Sequence, residues 1–546
     1  MTRGPASALA GYGAASPASA PSGYGAAGAV LVVAIALAAG LTLRLARLDV
    51  RPMHHDEANQ AVKFGALLER GEYAYDARDH HGPTLYYVTL PVAWLRGQAT
   101  LAALDEWTLR GVPAAFGAAT ILLLLLAAGI GRTAVVAAAL MMALSPAMVF
   151  YSRMYIQEAM FACFTLAFAI AIGRATTERG WRWPMLAGIA AGLATATKET
   201  AVIVLPASLA ACALAWWSLG STRSSVAPAN AGWRRAAIVS LAIGAGTASL
   251  FYSSFLVHPG GIFEPVRAAA TYFQRGMDPA GHAHPWHYYV RLLAWSSSGG
   301  LVWTEAIVLV LAAAGVVTAW TELDRSSPES AFWRRYLTGT AALTLAIFSA
   351  IPYKTPWNLL PFYAVTIVVA GIGVSALARA TASRAAHVFL VGVVAIGCAH
   401  LGWQAWRASV VYASDPRNPY VYAQTVPDAV RMAARIRDLA ALHGEGERML
   451  VTVIAPPDEQ WPLPWYLRTM TRVGYWTDAR GAPDLTAPVI VSSVDHVDML
   501  DAALGDRYVS EFYGLRPDVL LTLYVERGLW DRFLSRAAMG GRGGGD

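Results

Sequence analysis

Charge and cysteine are what this sequence has least of. Asp, Glu, Lys and Arg make up 14% of its 546 residues, whereas soluble domains carry roughly 25%. A chain of ordinary water-facing domains is excluded. Cys163, Cys212 and Cys398 are its 3 cysteines, and each lies inside an apolar run, so neither a disulfide framework nor a Cys-type metal site is indicated. A Gly-rich P-loop is missing, which leaves nucleotide-driven chemistry without support.

What is present is apolar and arranged in blocks. Apolar residues amount to 56%, grouped in stretches near the ~20 residues that a helix needs to cross a bilayer. The net charge of +6 is therefore no nucleic-acid signal. Its basic residues sit in short loops between blocks, where they orient a membrane protein. Residues 1–26 are rich in Ala, Gly, Ser and Pro, carry Arg3 as their one charge, and read as a disordered tail. The block after them, flanked by Arg44 and Arg47, reads as a retained helix, not a cleaved leader.

Windowed apolarity predicts about eleven spans, near 27–47, 108–130, 133–151, 156–173, 184–197, 200–217, 236–257, 294–320, 337–351, 358–378 and 387–407. The pair 184–197 and 200–217 reads as two helices meeting at Lys198-Glu199, with one long kinked span as the alternative. With the N-terminus inside, the cytoplasmic short loops hold Arg132; Arg174, Arg179 and Arg182; Arg223, Arg234 and Arg235; Arg325, Arg334 and Arg335; and Arg379 and Arg384. The opposite short loops hold Arg153, Lys198 and Lys354. That asymmetry favours this orientation.

The expected fold class is an all-α polytopic membrane protein over 27–407, followed at 408–546 by a small extracytoplasmic α/β domain. In the latter, 427–443 has helical spacing, with Val430, Ala433, Ala434, Ile436, Leu439 and Ala440 on one side. Met449–Ile454, Pro488–Val491 and Val519–Val525 read as short buried strands. Residues 48–107 form a long outer loop, and 258–290, rich in His, Pro and aromatics, form another.

Chemistry concentrates at the outer ends of the spans. His54-His55-Asp56-Glu57 follows the first one. Asp56 suits the N-cap of a surface helix over 57–70, with Gly71 closing it, and a cap can also serve as a base. A second interfacial helix is predicted near 84–95, after Asp79-His80-His81-Gly82-Pro83. Tyr151-Ser152-Arg153-Met154-Tyr155-Ile156-Gln157-Glu158, Lys198-Glu199 and Tyr353-Lys354-Thr355-Pro356-Trp357-Asn358 occupy three further outer loops. One charge at a span end is usually an anchor that snorkels to the headgroups. So many together predict a mixed-charge pocket. A lysine about 4 Å from a phosphate gains roughly 4 kcal/mol at an effective dielectric near 20, enough to hold a polyprenyl-phosphate sugar while its tail stays among the helices. Displacement at the anomeric carbon then needs a carboxylate to take the acceptor's proton. Asp56 is the candidate base, with Glu57 as its catalytic neighbour. His54, His55, His81, Arg153, Glu158, Lys198, Glu199 and Lys354 are the candidate substrate-binding residues. His, Asp and Glu could also hold a divalent cation, but no metal spacing is fixed.

His54-His55-Asp56-Glu57-Ala58 after a first membrane helix resembles the acidic motif of GT-C glycosyltransferases, which include protein O-mannosyltransferases and lipid A aminoarabinose transferases. Tyr151-Ser152-Arg153, Thr197-Lys198-Glu199-Thr200 and Tyr353-Lys354-Thr355-Pro356-Trp357-Asn358 resemble a bacterial and archaeal branch associated with archaeal N-glycosylation flippase activity. The likeness spans roughly 30–410 and continues weakly into Asn418-Pro419-Tyr420-Val421-Tyr422. It implies a lipid-phosphate sugar donor, reaction at the outer face of the plasma membrane, and an essential Asp, here Asp56. The acceptor, whether protein, glycan or lipid, stays open. Asn59 stands where the aminoarabinose branch has an Arg, so phosphate contact is expected from Lys354, Arg153 or Lys198. The flippase association keeps a second reading, a translocase or its accessory without transferase activity. A translocase should carry polar residues through the bilayer depth, and these span interiors are almost purely apolar. A membrane scaffold is the third reading, and it leaves the clustered charges without a role.

Overall fold

The computed structural model describes residues 25–540 except 72, 77–80, 227–231, 278–280, 322–326 and 482–484. The tail read over 1–26 lies almost wholly outside the described residues, as does His80.

Each predicted span contains a helix. These are α1 (Ala26–Leu45), α4 (Glu106–Leu123), α5 and α6 (Arg132–Leu144 and Pro146–Ser152), α7 (Glu158–Thr177), α8 (Arg182–Thr195), α9 (Ala201–Ser218), α10 (Trp233–Tyr252), α13 (Ala306–Trp320), α14 (Pro328–Ala350), α15 (Leu360–Ala380) and α16 (Arg384–Trp406). Between them lie α2 (His55–Arg70), α3 (Thr84–Leu95), α11 (Glu264–Met277) and α12 (Tyr288–Ala294). By length and apolarity 7 described helices suffice to cross a bilayer, or 8 if α5 and α6 form one span bent by 55°. The remaining predicted spans correspond to α8, of 14 residues, α13, of 15, and α14, whose first half carries Glu329, Arg334 and Arg335. The span predicted from 294 begins later, because 296–303 forms a hairpin of β1 (Ser296–Ser298) and β2 (Leu301–Trp303).

The break between α5 and α6 has a local cause. Pro146 has no N–H to continue α5 and pushes Ser145 out of the helical region. Ser145 sits at φ −58°, ψ 123°, and its hydroxyl caps α6 through the Met148 amide at 3.3 Å.

Residues 182–218 are two helices that reverse at 196–200. A Cβ on Gly188 would meet Ser240 O at 2.5 Å, and one on Gly192 would meet Gly244 O at 2.5 Å. Advancing along α8 thus advances along α10, so the two run in the same direction and α9 runs back between them. One kinked span would have made α8 and α10 antiparallel. The small residues Gly188 and Gly192, one turn apart, allow this close approach.

Beyond α16, α17 (Pro427–Ala440) buries Ala429, Met432, Ala433, Ile436, Leu439 and Ala440. It accompanies a five-stranded sheet of order β4-β3-β5-β7-β6, built from β3 (Val451–Ile454), β4 (Val473–Trp476), β5 (Val489–Ser493), β6 (Tyr508–Arg516) and β7 (Val519–Glu526). β3 pairs in parallel with β4 and β5, and β7 pairs antiparallel with β5 and β6. The three strands predicted from sequence are the central ones. The two it missed, β4 and β6, are the edges, half-exposed and so without a continuous apolar run. This region docks on the helices through Tyr466, whose hydroxyl accepts Met53 N–H at 2.7 Å, and Trp465, whose indole donates to Glu106 at 3.1 Å.

The α8–α10 contact yields a direct check. Gly192→Val forces a branched side chain against the Gly244 backbone and is expected to cost about 1–3 kcal/mol by overpacking. Gly246→Ala, where nothing lies within 4 Å, is the control and should unfold like the parent in a thermal melt of the detergent-solubilised protein.

Candidate functional site

The site is built outward from the first turn of α2. His54, not Asp56, is its N-cap. His54 Nδ1 accepts the Asp56 N–H at 3.1 Å, and Glu57 Oε2 accepts the His54 N–H at 3.0 Å, a reciprocal capping box. Gly71 closes the helix at φ 67°, as expected. Successive helical residues point about 100° apart, and this sends Asp56 and Glu57 to different environments.

Glu57 is fully buried. Its Oε1 accepts from Arg110 Nε at 2.7 Å and Tyr155 N at 2.8 Å, and its Oε2 also accepts from Arg110 at 2.9 Å. Arg51 lies 3.7 Å away. Burial alone would push its carboxyl up, but Arg110 and Arg51 outweigh that and hold it down at about 2. Predicted as a catalytic neighbour, Glu57 does not line the cavity described below.

Arg153 is also turned away. Its guanidinium donates to the carbonyls of Leu43 (2.8 Å) and Arg44 (3.0 Å), in the last turn of α1 where helical partners run out, and to that of Arg47 (3.0 Å) just beyond. Arg110 takes the next ones, Leu48 O at 2.6 Å and Arg51 O at 2.9 Å. Lys354 donates to His284 O at 3.0 Å and to Ile351 O, pinning residues 352–354 beside 282–284, and burial lowers its pKa. Two of the three cations predicted at the phosphate thus hold backbone instead.

A cavity of about 230 Å³ opens beside Asp56 and is lined by His81, Lys198, Glu199, Tyr272, Tyr353 and Trp357, with Ala268, Thr271, Thr355 and Asn358 completing its wall. Lys198 is clamped, its Nζ 2.5 Å from Glu158 Oε1 and 2.8 Å from Asn358 Oδ1. An ammonium has three donors, so one remains. Glu158 is buried beneath it. His81 Nδ1 is 3.1 Å and 3.3 Å from the two Glu199 oxygens. Burial opposes the charge on each, yet the pairing raises the His81 pKa and lowers that of Glu199. The Asp56 side chain is 39% exposed. Burial pushes its carboxyl up, and His54, His55 and His81 when protonated, together with Lys198, pull it below its ordinary value. His55 faces the C-terminal region, 6.0 Å from the Trp461 ring, and its own pKa is lowered by burial.

The structure therefore brings Asp56, His81, Lys198 and Glu199 together, with Glu158 in support. His54, His55, Glu57, Arg153 and Lys354 lie around this group rather than on the cavity wall. Sequence reasoning missed the contribution of α11, which supplies Ala268, Thr271 and Tyr272. The i, i+3, i+4 spacing of Ala268, Thr271 and Tyr272 was the available signal. It also weighted Lys354 within 353–358, whereas that segment reaches the cavity through Tyr353, Thr355, Trp357 and Asn358. Among the described residues no three His, Cys, Asp or Glu side chains gather as a set that could hold a metal ion.

Comparison with known proteins extends these observations. A family model described as dolichyl-phosphate-mannose-protein mannosyltransferase matches residues 36–256. No curated protein matches by sequence. Among solved structures, ArnT from Cupriavidus metallidurans in the apo state aligns with a TM-score of 0.58 at 15% identity, covering 92% of this chain and 98% of ArnT. The same protein bound to undecaprenyl phosphate aligns at 0.53 and 16% identity, over 92% and 98%. An Archaeoglobus fulgidus oligosaccharyltransferase, crystallised with zinc and sulfate, aligns at 0.56 and 14% identity, over 89% of this chain and 73% of that one. The family model's likeness is confined to 36–256, and along most of its length the chain shares the fold of these multi-pass membrane glycosyltransferases of the GT-C type.

Proposed function

We propose that the cavity receives the headgroup of a polyprenyl-phosphate sugar and that Asp56 is the general base of a transfer to an acceptor hydroxyl. The observation that carries this reading is one cavity wall holding both a partly exposed carboxylate, Asp56, and an ammonium with a donor to spare, Lys198. The acceptor oxygen attacks the anomeric carbon and its proton passes to Asp56. The bond from the anomeric carbon to the phosphate oxygen breaks, and polyprenyl phosphate leaves with the electron pair. A carboxyl held below its ordinary pKa is ionised at neutral pH and free to accept the proton. The phosphate, already a good leaving group, is met by Lys198 and by protonated His81. Glu57 and Arg153 are assigned to holding the loop, and Lys354 to the 282–284 contact.

The reaction is assigned to the outer face of the plasma (inner) membrane. In support, the basic residues Arg132 and Arg174 lie at the ends of α5 and α7 remote from Glu158 and the cavity, as an inside-positive arrangement requires. The candidate acceptors are protein, glycan and lipid.

Substitutions and pH test the reading. In liposomes supplied with labelled polyprenyl-phosphate mannose and a membrane extract as acceptor source, Asp56→Asn should reduce transfer at least about 100-fold. Transfer at the parental rate would sink the mechanism, and movement of the lipid-linked sugar across the bilayer without transfer would favour a translocase. A neutral pair, Lys198→Gln with Glu158→Gln, should raise the donor KM about ten-fold without leaving a buried charge unpaired. Lys354→Gln should lower the melting temperature and leave the donor KM within about two-fold. Donor binding should also weaken as pH rises through the elevated His81 pKa, since the imidazolium is lost there. In Glu199→Gln the support for that charge is gone, and the alkaline fall in kcat/KM should move to lower pH.

A further inference from the structure

The segment Asn418-Pro419-Tyr420-Val421-Tyr422 takes no part in the cavity wall, yet its contacts reach Asp56 in a few steps. Asn418 is fully buried. Its amide donates to Ala408 O and Tyr412 O, both at 3.0 Å, and its Oδ1 accepts Tyr420 N–H at 3.1 Å, so one side chain fixes a turn just past α16. Tyr420 then enters the helix bundle. Its hydroxyl donates to Glu305 Oε1 at 2.7 Å, and its carbonyl accepts from Tyr151 OH at 2.9 Å.

Glu305 is a buried carboxylate with no ion-pair partner among the described residues. It accepts from Tyr363 OH at 2.7 Å, Ser145 Oγ at 2.6 Å and the Ala147 amide at 2.9 Å, as well as from Tyr420. Ser145 and Ala147 begin α6, so the charge sits at a helix N-terminus, where it is favoured. Four donors from α6, α15 and the 418–422 segment converge on one group, and a buried network fully satisfied in this way is rigid.

Two residues on, the chain touches the other end. The Tyr422 carbonyl accepts from His54 Nε2 at 3.0 Å. That bond puts the imidazole proton on Nε2 and leaves Nδ1 to accept the Asp56 N–H. The Tyr422 hydroxyl meets His282 Nδ1 at 2.6 Å. Its ring stands edge-on to Trp357 with centroids 5.7 Å apart, and His54 meets the same indole at 5.7 Å. Ala423, at φ 47°, reverses the backbone, and Gln424 donates to Pro52 O at 2.8 Å. The segment is thus tied to the bundle at Glu305 and to the Asp56 turn at His54 and Pro52.

We propose that residues 418–424 are a strap that positions Asp56, with Tyr420 and His54 as positioning residues, so that the membrane helices and the Asp56 loop form a catalytic unit only when this segment is in place. The proposal rests on Asp56 as the base. The alternative is that His54 serves α2 only as a cap, and the two readings diverge at one substitution. Asn is among the best N-caps and keeps an acceptor for the Asp56 amide, but it is too short to reach the Tyr422 carbonyl.

The experiment uses the full-length protein. His54→Asn, His54→Gln and Tyr420→Phe are compared with the parent by hydrogen–deuterium exchange of the 51–58 peptide, and by transfer from polyprenyl-phosphate mannose at saturating and limiting donor. With a strap, His54→Asn and Tyr420→Phe raise exchange at 51–58 and lower kcat, each by at least about ten-fold, while donor KM stays within about two-fold. His54→Gln, which can still donate to the Tyr422 carbonyl, recovers part of the rate. Parental exchange in both His54→Asn and Tyr420→Phe overturns the proposal whatever Asp56 does. Raised exchange with an unchanged kcat overturns the link to catalysis. Asp56→Asn in the same assay reports separately on the base: an active Asp56→Asn removes the base reading and with it the catalytic role of the strap, while the exchange result still decides whether the segment orders the loop.

Discussion

The ion pair of Glu57 with Arg110 is the constraint from which the site follows. A carboxylate out of contact with water is tolerable only when its lone pairs are taken and a cation is close. Glu57 meets that condition with Arg110, the Tyr155 amide and the His54 amide, which belong to α4, to the loop before α7 and to the start of α2. One buried group therefore sets three chain segments relative to each other. Turned by one helical step, Asp56 is left at the cavity mouth. Of the pair Asp56-Glu57, one acid faces the cavity and the other holds the structure.

The same division runs through the cations. Arg153, Lys198 and Lys354 occupy equivalent places between spans, and each is buried. What separates them is what the neighbouring chain leaves unsatisfied. The end of α1 presents carbonyls with no helical partner, and Arg153 takes them. The reversal at 282–284 presents another, and Lys354 takes it. Lys198 meets side chains, Glu158 and Asn358, and keeps a donor toward the cavity. Where hydrocarbon replaces water, every backbone carbonyl needs a donor, so much of the positive charge at this end is consumed by structure before any reaches a ligand.

The strap applies the same logic at greater range. Glu305 draws hydroxyls from distant segments because a buried carboxylate without a cation must be solvated by dipoles. Tyr420 is one of those dipoles, and this commits the chain beyond α16 to return over the Asp56 turn. The C-terminal region is in that sense continuous with the cavity end of the bundle.

Composition and apolar periodicity by themselves determined the membrane-embedded helical class, a helix within every predicted span, the central strands of the C-terminal sheet, and the stretches from which the cavity is drawn apart from α11. These depend on local sequence, on block length, period and the cost of burying charge, and so they are legible without coordinates. For 184–217 tertiary structure chose two helices, the reading preferred from sequence, over one kinked span, through the parallel contact of Gly188 and Gly192 with α10. It decided that His54 rather than Asp56 caps α2, because the imidazole has a second partner in Tyr422. It also decided that Lys198 rather than Arg153 or Lys354 faces the cavity. The choices at His54 and at the cations turn on which hydrogen-bonding group a polar side chain finds elsewhere in the chain, and charge, spacing and hydropathy along the sequence carry no record of that choice.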